Sequence, residues 1–250
     1  MPVPSERRGG GIAGTVVLSS VVTVVPCADE GAAALHLSDP VVRGQNSVSR
    51  NEHDFCLGAQ STGMVLVESD SELAHGDEAP AFELPGADGE TYALSDFSDY
   101  DALLVVFTCN HCPYAEAKVD ELNHLSEAYD GLAVVGINPN DAEEYPDDSF
   151  ERMRERVEDG EIRYTAYLRD ESQDVAREYG AVCTPDPFLF ERDGDAFRLA
   201  LHSRLDDAMS PDEETERYEM REAVEALLAG EEITVEETPS QGCSIKWIDG

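Results

Sequence analysis

The sequence predicts an α/β domain in which a central sheet is covered by helices, and three stretches carry that prediction. Residues 102–108, ALLVVFT, are a continuous apolar run of strand length, suited to the middle of a sheet buried on both faces. Residues 132–138, LAVVGIN, are a second such run. Between them AEAKVDELNHLSEAY sets Ala117, Leu122, Leu125 and Tyr129 at roughly helical spacing, which makes a strand–helix–strand unit.

The other elements follow in order. Residues 76–97 read as short strands joined by turns, with DGE as the hairpin signal. DSFERMRERVED is a predicted helix and IRYTAYL a predicted strand. SQDVAREYG is a helix with Ser172 as N-cap and Gly180 as its stop. PFLFERDGDAFRLALHSRL is a two-stranded hairpin around Asp193-Gly194. DEETERYEMREAVEALLAG is a final helix, with acids gathered near its start and Gly230 at its end. The tail, 236–250, is predicted to be irregular and to pack back through Ile245, Trp247 and Ile248.

Charge divides the 250 residues unevenly. The formal net charge is −37, yet residues 1–63 hold six acids against four arginines, so nearly all of the excess lies in 64–250. A domain so charged repels itself in dilute buffer, and concentrated salt removes most of that penalty. With Lys118 and Lys246 the only lysines, this reads as a halophilic acidic protein adapted to a salt-loaded cytosol. Clear apolar periodicity argues against an acidic disordered chain, and the absence of a basic patch argues against nucleic acid.

Residues 1–63 look foreign to the remainder and are expected to add little to the core. One reading starts translation at Met64, leaving a cytoplasmic protein. The alternative is export or membrane anchoring through residues 7–28, where Arg7-Arg8 precede an uncharged apolar stretch. The expected organisation is an extension over 1–63, a domain over 64–235 with no stable membrane span, and a tail over 236–250.

The chemistry is expected at Cys109-Asn110-His111-Cys112-Pro113, where the first buried strand runs into the helix. A Cys-x-x-Cys at such a junction places the first sulfur near unpaired N–H groups and the positive end of the helix dipole, which favour a thiolate. Cys109 is thus expected to be the exposed attacking thiol of depressed pKa, and Cys112 the shielded resolving thiol. His111 is expected to place positive charge beside the Cys109 sulfur. Pro113 suits a first helical turn, where its missing N–H leaves no bond unmade.

Together with Ala79-Pro80 and Phe82 near the start and Thr184-Pro185 late in the chain, this motif makes residues 76–230 similar to the redoxin branch of the thioredoxin superfamily, the AhpC/TSA type. The resemblance implies a thioredoxin-like fold, with a central mixed sheet flanked by helices and an N-terminal β-hairpin extension. It implies a cis Pro185 opposite the cysteines, with Thr184 lending backbone hydrogen bonds to a substrate chain. Three positions depart from familiar members. Leu103 stands where thioredoxin has a proton-relaying acid. Glu116 is the one candidate for the relay glutamate of some redoxins. Thr108-Cys109-Asn110-His111-Cys112 is one residue longer than the peroxidase Thr-x-x-Cys.

The expected activity is therefore dithiol–disulfide exchange through Cys109 and Cys112 on a protein or small thiol substrate. It needs a recycling reductant and no organic cofactor. Alternatives are a thiol-dependent peroxidase attacking through Cys112, or a peptide-binding module without catalysis. A zinc site using Cys109 and Cys112 with Cys183, His111 or His202 lacks a second matched ligand pair, so no metal is expected. Cys183, beside the proline, and Cys243, on the tail, are further redox relay candidates.

Overall fold

A computed structural model describes residues 65–248; the expectations for residues 1–63 fall outside them. The predicted apolar runs become the two central strands, β4 (Ala102–Phe107) and β5 (Leu132–Asn138), every residue of which is buried. They lie parallel, Ala102 opposite Leu132 and Phe107 opposite Ile137. Strand β6 (Ala166–Arg169) extends the sheet parallel beyond β5, while β8 (Asp186–Asp193) and β9 (Ala196–His202) extend it antiparallel beyond β4. The order β6-β5-β4-β8-β9 makes a mixed five-stranded sheet.

Alternation along β4 sends side chains to two cores. Leu103, Val105 and Phe107 join Phe188 and Phe190 on one face, under Phe97 and the helix α4 (Asp174–Tyr179). Leu104 and Val106 join Leu189 and Leu201 on the other, under Leu122 and Leu125 of α2 (Val119–Ala128) and Met220 and Val224 of α5 (Glu219–Leu228). Each such fully buried apolar side chain contributes about 1.5–3 kcal/mol. The hairpin β2 (Glu83–Pro85) and β3 (Thr91–Ala93) precedes the sheet, turning at Gly89, whose φ of 97° suits a residue without Cβ. This is the thioredoxin-like α/β arrangement that the resemblance implies.

Four elements differ from expectation. The helix after the cysteines is broken into α1 (Pro113–Glu116) and α2, with Ala117 and Lys118 between. The strand predicted from residue 162 forms only over β6, after the helix α3 (Phe150–Glu158). The last helix begins at Glu219 rather than 212, since the preceding residues are almost all charged and offer no apolar face to bury. The tail is a strand, β10 (Gln241–Ser244), paired antiparallel on one side with β1 (Leu66–Glu68) and on the other with β7 (Cys183–Thr184). Of its three anchoring candidates only Ile245 is buried; Trp247 and Ile248 are exposed.

Candidate active site

The site forms where β4 ends, and there Cys109 is neither exposed nor of depressed pKa, contrary to expectation. Cys112 is the N-cap of α1, and Cys109 sits three residues earlier, in the turn. A four-residue helix has little dipole, and Cys109 is off its end. Cys109 is 2% exposed instead of presented to solvent. Burial first, and then the negative charge of Asp148, push its thiol up to about 12, against the hydrogen bond with Thr184 and those from the Cys112 and His111 amides. Thr184 Oγ1 is 3.1 Å from Cys109 Sγ.

Cys112 is bonded not to Cys109 but to Cys243, across 131 residues of chain, with Cα atoms 6.3 Å apart. Strand β10 makes this possible, because its register sets Cys243 opposite Thr184. Cys109, Cys112, Cys243 and Ala115 form one small buried cluster, flanked by Tyr114. The peptide bond Thr184–Pro185 is cis, and Thr184 O lies 3.5 Å from Cys112 Sγ. Thr184 thus touches both sulfurs of the motif.

Cys183 is free and buried, with its Sγ 3.8 Å from Pro185 O. Neighbouring strand residues face opposite ways, so Cys183 opposes Ser244 and lies outside the sulfur cluster. Glu116 has its carboxylate engaged by Arg156 rather than by a sulfur. Arg156 also donates to Asn110 Oδ1 at 3.1 Å, as does Tyr167 Oη at 2.8 Å, so this group braces the turn between the cysteines. His202 Nε2 is 2.7 Å from Asp186, and its ring stacks on Phe188.

The residue that sequence reasoning missed is Asp148. Its loop reads as a solvated acidic stretch, yet Asp148 is fully buried. It accepts hydrogen bonds from Asn110 N at 2.6 Å, Asn138 Nδ2 at 3.1 Å and Asn140 Nδ2 at 2.9 Å, and it pairs with His111 Nδ1. These donors hold its carboxyl below the usual range although burial opposes ionisation. No periodicity in the sequence marks it. His111 also stacks on Tyr145, and its Nε2 is buried without a hydrogen-bond partner among the described residues. In the neutral ring with Nδ1–H donated to Asp148, Nε2 carries the open lone pair.

Donor atoms of Cys109, His111 and Asp148 lie within 4.8 Å of one another, the one such three-residue group among the described residues. Both Asp148 oxygens already accept two donors each, so this set is committed to itself. The zinc alternative weighed from sequence does not assemble: Cys112 is in a disulfide and His202 is held by Asp186.

An AhpC/TSA family profile matches residues 75–195, a span that contains the cysteine motif and the cis-proline. Residues 75–195 belong to the AhpC/TSA family. This redoxin is similar, at 38% identity and a TM-score of 0.69, to the structure of an uncharacterized conserved protein from Geobacillus kaustophilus, over 75% of this chain and 99% of that one. A hypothetical protein from Sinorhizobium meliloti 1021 is similar at 40% identity and a TM-score of 0.68, over 73% and 99%. No curated protein matches the redoxin. None of its described helices is long and apolar enough to cross a membrane.

The buried thiol makes a measurable prediction for the redoxin. With the thiol pushed up to about 12, the thiolate fraction of Cys109 at pH 8 should lie on the order of a thousandfold below that of an ordinary cysteine with pKa about 8.5. Iodoacetamide should therefore label Cys109 of the native disulfide form about a thousandfold more slowly than the denatured chain. The native rate should keep rising tenfold per pH unit past pH 10; a plateau near pH 8.5 would contradict the burial.

Proposed function

We propose that the protein is a thiol–disulfide oxidoreductase that uses three cysteines. In the reduced form the Cys109 thiolate attacks a substrate disulfide, forms a mixed disulfide and releases one substrate thiol. His111 Nε2, oriented through Asp148, takes the Cys109 proton and returns it to the departing sulfur. The Cys112 thiolate then attacks Cys109 Sγ, giving a Cys109–Cys112 disulfide and the second substrate thiol. Finally the Cys243 thiolate attacks Cys112 Sγ, frees Cys109 as a thiol and leaves the Cys112–Cys243 bond. Two electrons from an external dithiol restore the start.

The observation that carries this reading is the Cys112–Cys243 disulfide beside a free Cys109. That is the state the last step leaves. The family's peroxidase members keep a second reading alive, since the same three sulfurs could resolve a sulfenic acid. The pairing with Cys243 favours exchange, because Cys112, the sulfur a peroxidase would use for attack, is the shared member of both disulfides.

The test is to oxidise the reduced protein with one equivalent of a small disulfide and map its bonds by peptide mass. Cys112–Cys243 should dominate in the wild type and Cys109–Cys112 in Cys243→Ser. A Cys109–Cys243 product, or none involving Cys112, would exclude this order of transfer. A peroxide-consumption assay on the same preparation separates the two readings.

A further inference from the structure

Strand β10 closes the edge along which a polypeptide substrate would bind. An extended chain adds to a sheet through a free row of N–H and C=O groups. The row at Thr184, next to the cysteines, is taken by Cys243, and Ser244 takes Cys183. The far edge of β10 is covered in turn by β1, where Leu66 lies opposite Cys243.

Anchors fix the strand at both ends. Ser240 Oγ donates to Pro185 O at 2.6 Å, and Ile245 N to Val182 O at 3.0 Å. Lys246 N donates to Asn140 Oδ1 at 2.8 Å, tying the tail to the loop that holds Asp148. Gly242 is fitted to this contact: a Cβ there would overlap the Thr184 carbonyl and sit 3.0 Å from Pro185 N. Cys109, Cys112 and Cys243 are each at most 2% exposed, while Asn110 and His111 between them are partly exposed.

We infer that the site admits low-molecular-weight disulfides and excludes extended polypeptides, its own β10 standing where such a chain would pair. The inference rests on the exchange reading for its chemistry, and on the strand pairing for its selectivity. In the step concerned, the Cys109 thiolate displaces a thiolate from a small disulfide, one S–S bond forming as another breaks, and no outside oxidant enters.

The test compares two activated disulfides that release the same thionitrobenzoate. One carries 2-mercaptoethanol, and the other is the cysteine of an extended hexapeptide. Both react with the full chain bearing Cys112→Ser, which leaves the adduct on Cys109, located by peptide mass. Rates are normalised to free N-acetylcysteine. The peptide should react at least tenfold more slowly than the small reagent, and adding Gly242→Val, which forces β10 off Thr184, should raise the peptide's rate at least fivefold. Equal normalised rates, no reaction of either reagent with folded Cys109, or no rise in the Gly242→Val chain would each overturn the inference. Turnover of bis(2-hydroxyethyl) disulfide by the wild type is read separately; its absence with the labelling ratio intact removes the exchange reading and leaves the access claim standing.

Discussion

A Cys112→Ser chain is expected to lose at least about a thousandfold in multiple-turnover disulfide reduction, roughly 4 kcal/mol of barrier, and to accumulate substrate covalently on Cys109. In the proposed order of transfer Cys112 is the shared sulfur, resolving the mixed disulfide and then passing the bond to Cys243. Serine is close in size but cannot attack a disulfide at neutral pH. The substitution also removes a cross-link spanning 131 residues, which typically stabilises by about 2–4 kcal/mol. Lower stability alone could therefore mimic lost chemistry. Cys243→Ser separates the two, because it removes the same cross-link and keeps the Cys109–Cys112 pair. It should match Cys112→Ser in denaturant midpoint under oxidising conditions, yet carry out a single turnover at close to the wild-type rate and trap nothing on Cys109. Equal turnover loss in both variants, with no adduct in either, would show that the sulfurs serve only to staple the tail.

The parts of this protein legible in its sequence are those governed by local pattern. β4 and β5 announce themselves as unbroken apolar runs, and the β8–β9 hairpin turns at Gly194, whose φ of 67° only glycine adopts freely. Gly180 and Gly230 end their helices with positive φ, as their positions implied. What stayed hidden depends on distant partners. Residues 241–244, QGCS, have no alternation to mark a strand; β10 exists because Gly242 lets its backbone close on Thr184. Cys243 could be named as a redox candidate, but its partner follows from the β7–β10 register. Asp148 looks like its acidic neighbours in one dimension, and only the fold brings Asn110, Asn138 and Asn140 around it. The expectation of a low-pKa Cys109 failed for the same reason. It was drawn from a helix end, whereas burial and Asp148 set the outcome.

Asp148→Asn should cost about 3 kcal/mol of stability and at the same time bring the Cys109 pKa down from about 12. The wild-type carboxylate is fully buried and offers both oxygens to four donors. An amide of the same shape keeps one oxygen and turns an NH2 toward the donors that lose the other. Each buried donor left without an acceptor costs about 1–3 kcal/mol, enough to lower the melting midpoint by roughly 6–12 °C in a domain of this size. The pH dependence has a definite sign. Because the folded carboxyl lies below its usual value, its contribution is complete above the ordinary Asp range near pH 4 and disappears as pH falls through the folded value. The gap between wild type and variant should thus be full at pH 7 and close in strong acid. Removing the charge also removes the second-largest force holding Cys109 protonated, so ultraviolet titration of the thiolate should show an earlier transition. Turnover should nevertheless fall, since His111 Nδ1 loses its anionic partner and its tautomer is no longer fixed. Lower stability with an unmoved Cys109 titration and wild-type kcat would make Asp148 a structural hub only; a lowered thiol pKa together with a lowered kcat marks it as the group that positions His111.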